Sequence, residues 1–229
     1  MALGTPHPLD NPIWHALTTC QAKFAEISDL ARRFPLDITT LAGFVEPTRE
    51  SYDSLASLMG IGEDAALFLE SFTAPPAGWT VIETVPLLQM VHEGCATASS
   101  AVEVEELNIA DMPQMVALAE LTKPGPFGRR TRELGTYIGV RRKGRLVAMA
   151  GERLRVPGYT EISAVCTHPE HLGRGYASAL VAALVQSICN RDEVPFLHVR
   201  SENRHAIELY KRLDFAERVT FRFALLRWG

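Results

Sequence analysis

No apolar run in this 229-residue chain approaches the ~20 residues that a membrane-spanning helix needs, so a membrane partner is not expected. Its start, Met1-Ala-Leu-Gly-Thr-Pro, lacks both a basic segment and an apolar stretch, and a secretory signal is not expected either. Cysteine is scarce: Cys20, Cys95, Cys166 and Cys189 are scattered without a CxxC pair. This spacing argues against a metal centre and against a disulfide framework, and it points to reduced thiols in a cytoplasmic protein. Positive charge is nearly missing from residues 1–100, which carry 4 Lys+Arg against 12 Asp+Glu. Residues 101–229 carry 19 against 15, so the net charge of −4 conceals a basic C-terminal part suited to a phosphate-bearing ligand. The basic residues form no long stripe interleaved with aromatics, which argues against nucleic acid as a partner. Arg141-Arg142-Lys143-Gly144-Arg145 reads as a hairpin turn between strands. No sequence repeat or low-complexity segment is visible.

What is present is concentrated between Val165 and Ser178. An apolar strand there runs into Leu172-Gly173-Arg174-Gly175-Tyr176-Ala177-Ser178, a glycine-rich turn that opens a helix. Backbone N–H groups at a helix start have no intrahelical acceptor, and the helix dipole adds partial positive charge. Gly173 and Gly175 let the main chain approach a pyrophosphate closely. Ala177, Leu180, Val181, Leu184, Val185 and Ile188 then recur at helical spacing, which predicts a long amphipathic helix. From Pro195 to Arg200, Phe196, His198 and Arg200 alternate with Leu197 and Val199, the period of a strand. The result is a βαβ unit with its turn at the carboxyl end of the first strand, where open α/β sheets bind ligands.

These residues carry a resemblance. From about Glu103 to Trp228 the chain resembles the GNAT superfamily of acyl-CoA-dependent N-acyltransferases, and most of all the C-terminal domain of glycine N-acyltransferase-like proteins. The family's loop, Gln/Arg-x-x-Gly-x-Gly/Ala, is matched at Gly175 and Ala177, while Leu172 departs from it. A second signature, Asn-x-x-Ala-x-x-Leu-Tyr-x-x-Leu-Gly-Phe, is matched at Asn203, Ala206, Leu209, Tyr210, Leu213 and Phe215. Asp214 replaces its Gly, and Asp tolerates the left-handed conformation that ends a helix.

The resemblance implies acetyl-CoA, or another short acyl-CoA, as cofactor and an amine as acceptor, whether a small molecule or a protein amine. It places Val165, Cys166, Thr167, Leu172, Gly173, Arg174, Gly175, Tyr176, Ala177, Ser178, Asn203, Ala206 and Tyr210 along the cofactor. It also gives Tyr210 the task of protonating the departing thiolate, and it puts the oxyanion donor at a backbone N–H near a bulge at Val165 to Thr167. Cys166 reads as a buried small hydrophobe rather than a nucleophile. Glu161 stands eleven residues before Leu172, the spacing at which the histone acetyltransferase branch places its general base. Strict alternation would set Glu161, Ser163, Val165 and Thr167 on one strand face. Two readings of Glu161 stay open: a base at the acceptor cleft, or a strand carboxylate paired with Arg153 on the adjacent strand. Ser201 and Asn203 are both plausible helix caps. His168 reads as a turn histidine and His198 as a strand-packing one. An acyl-CoA-binding module without catalysis is the alternative to an enzyme.

The fold expected is a mixed α/β sandwich rather than a doubly wound sheet. Strands are expected at Glu103–Leu107, Gly135–Val140, Leu146–Leu154, Thr160–Thr167 and Val219–Leu226, the last closing the sheet, with helices over Ile109–Leu121 and Asn203–Leu213. A break at Thr122-Lys123-Pro124-Gly125-Pro126 opens a region, Thr122 to Glu133, expected to line the acceptor cleft. Residues 1–100 are expected to form an N-terminal α/β part without a cofactor loop, joined through Cys95–Ser100 to a GNAT domain over 101–229. Within it, Trp14–Leu17 and Tyr52–Met59 read as helices and Ala65–Phe72 and Trp79–Glu83 as strands.

Overall fold

The computed structural model describes residues 7–94 and 102–229. The N-terminal part contains α1 (Pro12–Thr18), β1 (Glu26–Ile27), β2 (Ala31–Arg33), β3 (Ala42–Phe44), α2 (Arg49–Ala56), β4 (Asp64–Leu69) and β5 (Trp79–His92). After residue 102 follow β6 (Glu105–Glu106), α3 (Met112–Thr122), β7 (Tyr137–Arg142), β8 (Arg145–Val156), β9 (Tyr159–Thr167), α4 (Tyr176–Cys189), β10 (Val194–Arg200), α5 (Arg204–Lys211) and β11 (Phe215–Trp228). The fold is mixed α/β. β1 to β3 form a small antiparallel sheet, and the other strands form an eight-stranded sheet ordered β4-β11-β5-β10-β9-β8-β7-β6. Among the described strands of this sheet only β9 and β10 pair in parallel, because α4 carries the chain back across the sheet between them.

Local chemistry explains the elements near the site. Lys143 and Gly144 both adopt positive φ, the conformation of a two-residue hairpin turn, and so join β7 to β8. Asn203 caps α5 by accepting from the Ala206 N–H at 3.1 Å, which decides between the two candidate caps. Asp214 ends that helical segment at φ 61, the left-handed conformation its type tolerates.

Two layers of helix cover the sheet. Leu180, Val181, Leu184, Val185 and Ile188 of α4, with Ile207 and Tyr210 of α5, pack on Ala148, Ala150, Ile162, Leu197 and Val199. On the opposite face, α1 packs through Ile13, Ala16 and Leu17 against Leu154, Val156 and Phe196, while Met112, Met115 and Leu118 of α3 meet Met149, Ala164 and Cys166.

Two expectations are corrected. β11 does not close the sheet, because β4 pairs along its outer side and forms the edge. β5 is also far longer than Trp79–Glu83: it runs on through Pro86 to His92 and lies between β10 and β11. The run Val85-Pro86-Leu87-Leu88-Gln89-Met90 is buried on both faces over most of its length, so it shows no alternation, and its proline disguises a strand. Pro86 is tolerated because pairing with β10 begins only at Leu87. One sheet therefore contains strands from both sides of residue 100, and the expected linker, Cys95–Ser100, lies outside the described residues.

Candidate active site

The site originates in a parting of strands. β9 and β10 are paired from Tyr159 and Val194 only as far as Ile162 and Leu197, although the two strands continue to Thr167 and Arg200. At the same level Ala164 takes φ 52, and the β8–β9 register skips from Ser163 to Cys166. This bulge swings β9 away from β10. It also breaks the alternation that would have set Glu161, Ser163, Val165 and Thr167 on one face. Val165 packs with Ile162 in the α4 layer, whereas Ala164 and Cys166 pack under α3.

A cavity of about 620 Å³ fills the V between the strands. At one end it is walled by the turn 171–178 and by Asn203, Ala206, Leu209, Tyr210 and Arg212 of the α5 region. At the other end are Phe68, Val85, Leu87 and Phe223 from β4, β5 and β11, the loop 122–126, Arg153 and His198. All thirteen residues expected along the cofactor line this one cavity; of the region expected to line the acceptor cleft, Thr122 to Glu133, only Thr122 to Pro126 do.

At the α4 end, Gly173 and Gly175 adopt φ 72 and 74, and a Cβ added at either would meet nothing within 4 Å. Among the described residues, no backbone carbonyl accepts from the N–H groups of Gly173 to Ser178; the first helical bond runs from the Ala179 N–H to the Gly175 carbonyl. The turn is thus an open row of donors at the head of a fourteen-residue helix. Arg174 and Arg212 line the same end, and no Asp or Glu lines any part of the cavity. A pyrophosphate fits this donor set.

Tyr210 is 8% exposed, with its ring edge-on to Phe215. Burial pushes its phenol pKa up to about 12, so it stays protonated, and its hydroxyl has no hydrogen-bond partner among the described residues. Burial also raises the Cys166 thiol to about 11, opposed by a hydrogen bond with the Thr122 side chain. A protonated thiol in an apolar wall is a poor nucleophile.

Glu161 is fully buried and does not line the cavity. It accepts from Arg153 Nε at 2.9 Å and Nη2 at 2.7 Å, from the Leu154 N–H at 3.2 Å, and from His198 Nδ1 at 2.7 Å. Burial alone would raise its pKa, but the Arg153 charge and hydrogen bonds outweigh that and hold it well below the usual carboxylate range. Of the two readings open from the sequence, this geometry is the ion pair. A carboxylate whose lone pairs are all taken does not face an acceptor as its base. His198 is buried in turn, its pKa lowered by desolvation against the pull of Glu161, and its Nε2 lies 3.1 Å from Gln89 Nε2. His168 sits in the turn after β9, where its Nδ1 accepts from the Glu170 N–H.

Sequence reasoning missed the far wall. Phe68, Val85 and Leu87 reach the cavity through long-range strand pairing that no local pattern announces. Leu209 and Arg212 could have been inferred, since Leu209 precedes Tyr210 on α5 and Arg212 caps the end of that helix.

Comparison with known proteins agrees with this geometry. Residues 137–224 match the family model described as FR47-like protein. The chain is 37% identical to a protein from Novosphingobium aromaticivorans described as an acetyltransferase of the GNAT family, with a TM-score of 0.91 over 98% of this chain and 100% of that one. A GCN5-related N-acetyltransferase from Kribbella flavida shares the fold at 16% identity, with a TM-score of 0.62 over 95% of each chain. No curated protein matches the chain at a significant level. The phosphate-ready turn, the parted strands and the full-length likeness agree, and the chain belongs to the GNAT family of acetyltransferases.

Proposed function

We propose that this protein transfers an acetyl, or another short acyl, group from acyl-CoA directly to a primary amine held in the cavity between β9 and β10. The observation that carries the reading is that one cavity joins the donor-rich α4 turn to the Tyr210 hydroxyl. Acyl-CoA supplies the activated thioester. The N–H groups of Gly173 to Ser178, with Arg174, hold its pyrophosphate, and Asn203 and Ala206 flank the pantetheine arm. Backbone N–H groups at the Ala164–Val165 bulge stabilise the charge that develops on the thioester oxygen. Tyr210 gives its proton to the departing sulfur, which its raised pKa keeps available.

Two consequences follow from the surroundings. Because Cys166 stays protonated, the amine attacks the thioester itself and no acyl group passes through the protein. Because no carboxylate lines the cavity and Glu161 is committed to Arg153, the amine binds in its neutral form and loses its second proton to solvent. The test is a thiol-release assay with acetyl-CoA over a panel of amines. Release that depends on both amine and protein is expected; coenzyme A binding without release for any amine would favour a non-catalytic acyl-CoA-binding module.

A further inference from the structure

We infer that the acceptor end of the cavity recognises a carboxylate, so that the acceptor is a small amine carrying a carboxylate and an apolar side chain. The inference rests on the transferase reading for the amine, and on Arg153 for the carboxylate. The Arg153 side chain is only 7% exposed, and its guanidinium is turned so that Nε and Nη2 both serve Glu161. Nη1 is left over. It points towards the loop after α3, 3.9 Å from where a Cβ on Gly125 would stand, and among the described residues nothing accepts from it.

Nη1 is not among the fully buried polar atoms left without a partner, so this guanidinium edge opens into the cavity that Arg153 lines, and a carboxylate is the partner that fits its planar donors best. Arg153 shares its charge with Glu161, so an anion here needs a further positive charge, and Lys123, which follows α3 and lines the same cavity, supplies it. The cavity wall holds five cationic side chains, Lys123, Arg153, Arg174, Arg200 and Arg212, and no acidic one. Arg174 belongs to the turn before α4 and Arg212 follows α5, whereas Lys123 follows α3 and the Arg153 guanidinium lies 6.0 Å from the Phe68 ring. A polyamine or a lysine-rich peptide would enter this end without a counter-charge. The remaining wall, Phe68, Val85, Leu87 and Phe223, suits an aliphatic or aromatic side chain.

The test compares two acetylated products that differ only in charge, N-acetyl-leucine and N-acetyl-leucinamide, by calorimetry on protein saturated with coenzyme A. The carboxylate should bind about tenfold tighter or more, the scale of one charge-assisted hydrogen bond. Arg153→Lys should erase that preference while coenzyme A still raises the melting temperature. If Arg153→Lys does not fold, the wild-type comparison decides alone. Equal binding of the two products, or tighter binding of the amide, overturns the inference; the transferase reading then stands or falls separately on whether leucinamide and butylamine are acetylated. Selective carboxylate binding with no acetylation of leucine, leucinamide or butylamine would instead keep the carboxylate site and reject the transferase reading.

Discussion

On the proposed reading Tyr210 serves the chemistry of the site, while the ion pair of Glu161 serves its stability. The Tyr210 ring packs against Phe215, the residue lines the cavity and its hydroxyl has no hydrogen-bond partner among the described residues, so Tyr210→Phe removes the proposed proton donor and little packing. Steady-state assays should show kcat falling ~10²-fold or more, the usual reach of a general acid, with coenzyme A affinity nearly unchanged. An unchanged kcat would remove Tyr210 from the chemistry. Glu161 makes a different prediction because its carboxylate is consumed by Arg153 and His198. Removing one member of a buried ion pair leaves the other uncompensated, so Glu161→Gln should cost about 3–5 kcal/mol near neutral pH, measured by urea unfolding. The folded-state pKa of Glu161 lies below its unfolded value. Its contribution is therefore complete above the unfolded carboxylate pKa of ~4.3 and is lost as pH falls from there towards the folded value. Wild type and Glu161→Gln should thus begin to converge in stability as pH falls below about 4 and approach one another only near the folded-state pKa of about 2. A variant that instead kept its stability and lost rate chiefly at low pH would restore Glu161 as a base.

At the scale of elements, the α4 turn is both the most legible part of the sequence and the most testable. Its signals are local: two glycines, a helical apolar stripe and an alternating strand lie within 36 residues, from Val165 to Arg200, and each acts on its near neighbours. Gly175 sits at φ 74 as the N-cap of α4, so Gly175→Val pays about 1–2 kcal/mol for a left-handed conformation and sets a branched side chain where the pyrophosphate would approach. Thermal shift should show coenzyme A stabilising the wild type but not the variant; equal protection of both would move the cofactor elsewhere. The bulge at Ala164 was legible only as a family habit, because no residue there is a glycine that would betray a positive φ. Its effect on facing was not legible at all, since one inserted residue reverses the alternation on which such readings depend. The pairing of Glu161 with Arg153 was legible as a possibility, two charged residues on neighbouring strands, but the register that joins them is set by bulges in β8 and β9.

The whole molecule is tied together across residue 100. β5 supplies a partner to both β10 and β11, Gln89 of β5 bonds the site histidine His198, and Gln21 Nε2 donates to the Arg153 carbonyl at 2.7 Å. The Thr131 hydroxyl, within the region Thr122 to Glu133, donates to the Ile38 carbonyl. A chain of residues 102–229 alone would leave β10 and β11 without β5 between them, and it should show no cooperative thermal transition by circular dichroism. A cooperative transition in that fragment would mean that the C-terminal part needs nothing from the first hundred residues. The sequence could mark the phosphate turn and the α5 signature, but not that a distant strand supplies the far wall of the cavity, because strand pairing over such separations leaves no local periodicity. The central claim is direct acyl transfer within this wall, and mass spectrometry of a single-turnover reaction tests it most directly. With protein in excess over acetyl-CoA and leucine present, N-acetyl-leucine should form while the protein's own mass stays unchanged throughout, as direct transfer requires. A protein heavier by one acetyl group before product appears would contradict direct transfer, and bound acetyl-CoA that never yields an acetylated amine would contradict the claim itself.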